Sequence, residues 1–167
     1  MKQALIFLAV CSAGACACAA DVSDDPEPRP VTQTIRLLED GNIGRHWYTW
    51  LRSQRARDVD PDRVFTAEGS TLKVSGTDMG CVTTREAFRD YRLTLEFRYV
   101  DNDRQLNKKA ARDGGILFHS TGPDGVYGNG MKVGEYHDLH PSGGRFQLQI
   151  EGFGIDYRNI VLEPLKK

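Results

Sequence analysis

Tyr91-Arg92-Leu93-Thr94-Leu95-Glu96-Phe97-Arg98-Tyr99 is the stretch that decides the fold. Every odd position is apolar and every even position is polar. A helix would spread these residues around its circumference. A strand instead places Tyr91, Leu93, Leu95, Phe97 and Tyr99 on one face and Arg92, Thr94, Glu96 and Arg98 on the other. The segment therefore reads as a half-buried antiparallel strand. Phe146, Leu148 and Ile150 repeat the pattern against Gln147, Gln149 and Glu151. Gly114-Gly115-Ile116-Leu117-Phe118-His119 supplies another strand, and residues 155–162 a further one rich in β-branched and aromatic side chains. Within the last, Tyr157-Arg158-Asn159-Ile160-Val161 breaks the alternation, which predicts a bulge or burial on both faces.

Turn signals punctuate these segments: Asp40-Gly41, Glu68-Gly69-Ser70, Gly122-Pro123-Asp124-Gly125, Asn129-Gly130 and Ser142-Gly143-Gly144. Short strands between Gly-rich turns predict an all-β sandwich or barrel. Residues 101–113, dense in charged and amide side chains, read as a solvated loop, and residues 54–57 give only a weak helical signal.

Residues 1–20 are expected to be an export signal, separate from the fold. Lys2 gives a positive start, residues 4–10 an apolar run too short to span a bilayer, and residues 15–20 a small-residue tract suited to cleavage. The product is then periplasmic or extracellular, with lipoprotein anchoring through Cys16 or Cys18 as the alternative. Residues 21–34, with Pro26, Pro28 and Pro30, read as an extended tether, and residues 35–167 as one domain. After cleavage Cys81 is the remaining cysteine, so stability must come from the core, and Cys81 reads as a buried structural thiol. The 22 Lys and Arg against 23 Asp and Glu leave a formal net charge of −1 with no basic patch, which argues against a nucleic-acid binder. No segment reads as transmembrane.

Chemistry is expected on the polar strand faces. Glu96 sits between Thr94 and Arg98, with same-face neighbours about 7 Å apart. Such side chains bond either sugar hydroxyls or each other across strands. His119 ends a strand beside a Gly-rich loop, and is expected to point away from the core if Phe118 points in. There it could bind a metal, move a proton or bond the loop. His137 and His140, with Glu135 and Asp138, form a small candidate ligand cluster in what looks like a turn. Trp47, Tyr48 and Trp50 are the local aromatic cluster, with Tyr48 expected opposite the tryptophans.

Three stretches, in order, resemble the 3-keto-disaccharide hydrolase family. Residues 81–98 resemble its signature ending in Glu-(Phe/Tyr)-Arg, Gly114-Gly115-Ile116-Leu117-Phe118-His119 is similar to its Ser-Gly-Ile strand, and residues 144–160 resemble its closing hairpin. The resemblance implies an antiparallel jelly-roll (concanavalin A-like) sandwich. It also implies cleavage of glycosides oxidised at C3, with a saccharide ligand and a divalent metal as a candidate cofactor. Carried over by motif, Glu96, His119 and Glu151 are the catalytic candidates, and Arg98 and Gln149 the substrate-binding ones. The family's Glu-x-Gln strand has no counterpart here: Asn129-Gly130 arrives almost at once after the strand that ends in His119. An internal deletion of several central strands is therefore expected, with self-association through exposed sheet edges and loss of activity as its consequences. The rival reading is a non-catalytic carbohydrate-binding or scaffold sandwich.

Overall fold

The computed structural model describes residues 26–108, 112, 114–120 and 143–165, together with the backbone of residues 9–10. Its strands are β1 (Ala9–Val10), β2 (Arg29–Pro30), β3 (Ile35–Arg36), β4 (Trp47–Leu51), β5 (Phe65–Glu68), β6 (Thr71–Val74), β7 (Met79–Thr84), β8 (Phe88–Arg89), β9 (Tyr91–Tyr99), β10 (Gly114–Ser120), β11 (Gly143–Glu151) and β12 (Ile155–Pro164). There is no α-helix among the described residues, and none is long and apolar enough to cross a membrane. Residues 54–57 form a turn and a bridge from Arg57 to Trp50.

Two sheets result. Sheet one runs β1-β9-β12-β6-β5, with β3 also against β12. Sheet two is centred on β11, which has β7 and β8 along one flank and β10 along the other, with β4 beyond β7. All pairs are antiparallel except β2 with β8. The alternation in β9 is realised: Tyr91, Leu93 and Leu95 are fully buried, and Phe97 and Tyr99 pack against the same cluster. Phe146, Leu148 and Ile150 of β11 face them from sheet two. The interior is thus shared by both sheets, as the edge-on contact of Tyr91 with His119 shows, ring centroids 6.2 Å apart.

The β5–β6 hairpin turns on Gly69 and Ser70, with Gly69 at φ +56, where a side chain would be strained. The bulge expected in residues 157–161 is present. The β9–β12 register shifts between Arg158 and Val161, and Asn159 adopts φ +52. Gly143-Gly144, by contrast, opens β11 rather than a turn. A Cβ on Gly144 would stand 2.8 Å from His119 Cα, so glycine is needed for close approach of two strands. Ser142, Gly122-Pro123-Asp124-Gly125, Asn129-Gly130 and the expected deletion junction lie outside the described residues.

Two boundaries differ from expectation. Arg29 donates to both Glu86 carboxylate oxygens, at 2.8 and 3.0 Å, and Val31 is buried in the core. The folded unit therefore starts ahead of Ile35. Residues 102–107 are also docked: Asn102 Nδ2 donates to Ser75 O, Gln105 Nε2 to Asn107 O, and buried Gln105 accepts from Gly154 N. A chain of amide side chains can satisfy backbone groups, and that is why this polar stretch packs.

Candidate functional site

Paired residues in antiparallel strands project to the same side of a sheet. On the outer face of sheet two this gives three adjoining rows. Trp50, Cys81, Gln149 and Gly115 align across β4, β7, β11 and β10. Tyr48, Thr83, Gln147 and Leu117 form the next row, and Met79 with Glu151 the one on the other side. Trp47 pairs with Thr84 and points inward, where its Nε1 donates to Leu37 O at 2.7 Å and its ring meets Phe146 edge-on at 5.0 Å. Trp50 and Tyr48 therefore share the outer face, which corrects the expectation that Tyr48 faces opposite to both tryptophans: adjacent residues 47 and 48 must diverge, and 48 and 50 must agree.

The side chains on this face hold one another. Gln149 Nε2 donates to Glu151 Oε1 at 3.0 Å, and Gln147 Nε2 donates to Cys81 Sγ and Thr83 Oγ1, each at 3.0 Å. Gln149, Glu151 and Trp50 are half-buried, whereas Cys81 is buried. Gly115 puts no side chain beside Gln149, and a Cβ there would stand 3.5 Å from Gln149 Oε1, an ordinary contact. Tyr48 is buried under two cations, with the Arg57 guanidinium 4.4 Å and the buried Arg145 guanidinium 5.6 Å from its ring centre. Arg57 and Arg145 were not singled out from sequence. The spacing of two residues that relates Arg145 to Gln147 and Gln149 is the signal that places it here.

The five residues carried over by motif fall in three places. Gln149 and Glu151 meet on the outer face of sheet two. Glu96 and Arg98 lie on the outer face of sheet one, on the opposite side of the core. There Arg158 donates twice to Glu96 Oε2, at 2.8 and 2.6 Å, and Asn159 Nδ2 to Oε1 at 2.7 Å. Arg98 donates twice to Asp156 Oδ2, at 2.9 and 2.6 Å. The amide of Asn159 and the guanidinium of Arg158 hold the Glu96 carboxyl below its ordinary range, which suits an anion in an ion pair better than a proton acceptor. These are cross-strand pairs on a solvated sheet face.

His119 occupies the third place. The β10–β11 register shifts between Leu117 and Ser120, so Phe118 and His119 together oppose Phe146. With His119 at φ +53, this bulge turns the imidazole inward, against Tyr91, and leaves it buried. The expected outward orientation is corrected on that ground. His119 packs on Gly144, and Glu151 lies seven residues further along β11, roughly 23 Å at about 3.3 Å per residue. No single sugar ring touches both.

Among the described residues no three His, Cys, Asp or Glu side chains gather as metal ligands. Glu151 brings one carboxylate beside an amide, which does not make a complete donor set for a divalent ion. His137, His140, Glu135 and Asp138 lie outside the described residues. No family model, curated protein or solved structure matches the chain.

Proposed function

We propose that this is an exported jelly-roll sandwich of the 3-keto-disaccharide hydrolase kind, and that its saccharide surface is the outer face of sheet two around Trp50, Gln149 and Glu151. The observation that carries the reading is the hydrogen bond from Gln149 Nε2 to Glu151 Oε1, with a half-buried indole two strands away in the same row of the sheet face. Sugars present hydroxyls to amides and carboxylates, and C–H faces to aromatic rings. A face offering all three groups on rigid strands matches that chemistry. The motif resemblance supplies the reaction class.

In a 3-keto-glycoside the C3 carbonyl acidifies the hydrogen on C2. The Glu151 carboxylate takes that proton, and the C2–H electron pair becomes the C2=C3 bond of an enolate. Collapse of the enolate forms C1=C2 and expels the C1 oxygen substituent with its electron pair. That leaving oxygen takes the proton held by Glu151, which returns to its carboxylate form. Water then adds at C1, a proton returns to C2, and the net change is hydrolysis. Gln149 fixes one Glu151 oxygen and leaves the other for the substrate.

The test is release of aglycone from a 3-keto-glucoside, with and without chelator. Glu151→Gln is expected to lower kcat about 10²–10⁴-fold, the usual contribution of a general base. Glu96→Gln, on the far sheet, is expected to leave turnover intact. Unchanged turnover in the Glu151 variant would refute the assignment. One observation favours a second reading, non-catalytic sugar binding: of the three catalytic candidates Glu151 alone reaches this face. Saturable binding of the 3-keto-glucoside without turnover assigns that role instead.

A further inference from the structure

One end of sheet one is formed by β1 on β9. Among the described residues one element touches the outer edge of this strand: β1, antiparallel, with Ala9 opposite Leu93 and Val10 opposite Arg92. Those residues belong to the segment read as an export signal. Its removal takes away the described partner on this edge of a nine-residue strand that contains no proline. Such an edge is a template for another strand.

We propose that β9 pairs with β9 of a second copy, antiparallel about a two-fold axis at Thr94. The side-chain pattern selects this register. A slip by one residue would set polar side chains opposite apolar ones and is excluded. Of the registers that keep the faces matched, an axis at Leu95 puts Arg92 opposite Arg98, and an axis at Glu96 puts that carboxylate opposite itself. An axis at Leu93 puts Asp90 opposite Glu96. An axis at Thr94 instead puts Arg92 opposite Glu96 of the second copy, twice by symmetry, and Thr94 opposite Thr94. On the other face Leu93 meets Leu95 and Tyr91 meets Phe97, apolar against apolar.

The existing ion pairs extend into this arrangement. Glu163 is opposite Arg92, with Nη2 to Oε2 at 2.8 Å, and Arg158 is opposite Glu96, with Nη2 to Oε2 at 2.6 Å. Across the joined sheet the row reads Glu163, Arg92, Glu96 of the second copy and Arg158 of the second copy. Charges alternate along four strands, and the row occurs twice. Like charges directly opposite are disfavoured and opposite charges favoured, so the edge admits its own copy in one register and resists others. Because β1 occupies the edge at Arg92 and Leu93, inside the stretch that the second copy would pair with, the leader and the second copy exclude each other. The inference does not depend on the sugar reading, since it uses the other sheet.

The test uses the full chain with a protease site inserted after Ala20, so that the protein folds before the leader is cut. The described core runs from Val31 to Leu162 and loses nothing by the cut. Analytical ultracentrifugation is expected to give a monomer before cleavage and a dimer after it. Arg92→Glu is expected to raise the dimer dissociation constant at least tenfold. Cysteine trapping fixes the register: facing Cα atoms about 4.5–5.5 Å apart are within disulfide reach. After cleavage, Thr94→Cys is expected to cross-link to itself under oxidation. Arg92→Cys and Glu96→Cys are expected to cross-link when mixed but neither alone. A cleaved protein that stays monomeric, a Thr94→Cys variant that does not cross-link, or self-linking of Arg92→Cys each overturns the proposal.

Discussion

Replacing Leu95 by alanine separates the two faces of β9 most sharply when it is set beside Glu96→Gln. Leu95 is fully buried at the middle of the strand, opposite the bulge formed by Asn159 and Ile160. Truncation removes apolar contact and leaves a cavity that close-packed neighbours fill only in part, at a cost of about 2–5 kcal/mol. The central position argues for about 3–4 kcal/mol of that range. Glu96, one residue on, points outward into a pair with Arg158 whose side chain is 59% exposed. An exposed pair of this kind contributes roughly 0.2–1 kcal/mol. Urea unfolding of the two variants should therefore differ by about 2–4 kcal/mol, with unchanged m-values. In a thermal scan Leu95→Ala should lower Tm by about 6–16 °C at about 2–4 °C per kcal/mol for a chain of this size. Equal costs at the two positions, or a larger cost at Glu96, would refute the assignment of inside and outside on which the fold rests.

Trp47→Phe is expected to cost about 2 kcal/mol, because the Leu37 carbonyl loses its buried donor while most of the ring burial is kept; the denaturant midpoint measures it, and a neutral result would count against this bond. Stability should also fall in two steps on acidification. Burial, and then the Arg45 guanidinium, lower the pKa of His46 below its ordinary 6.5, so the unfolded chain takes the proton first and stability declines as pH falls through that value. Glu96, lowered from 4.5 by Asn159 and Arg158, contributes stability that is present above that pH and lost below it. His46→Gln should flatten the first step of the pH–stability curve and Glu96→Gln the second; persistence of both steps would refute the assignments.

The sequence by itself determined the all-β class, the inward and outward faces of β9 and β11, the hairpin turn at Gly69 and the bulge near Asn159. These are local consequences of period-two patterning and of residues that tolerate left-handed backbone. It also marked Gln149 and Glu151 as same-face neighbours, two residues apart on one strand. What it could not settle was how separate strands are apportioned between sheets. Glu96 and Glu151 look alike in sequence, each a carboxylate on the polar side of an alternating strand. Only the pairing of β9 with β12 and of β11 with β7 puts them on opposite sides of the core. His119 shows the same limit: a single extra residue in β10 relative to β11 reverses its direction, and that count depends on a strand distant in sequence. Trp50 and Gln149 came to share one row for the same reason, since strand register, set by tertiary packing, decides which side chains of different strands become neighbours.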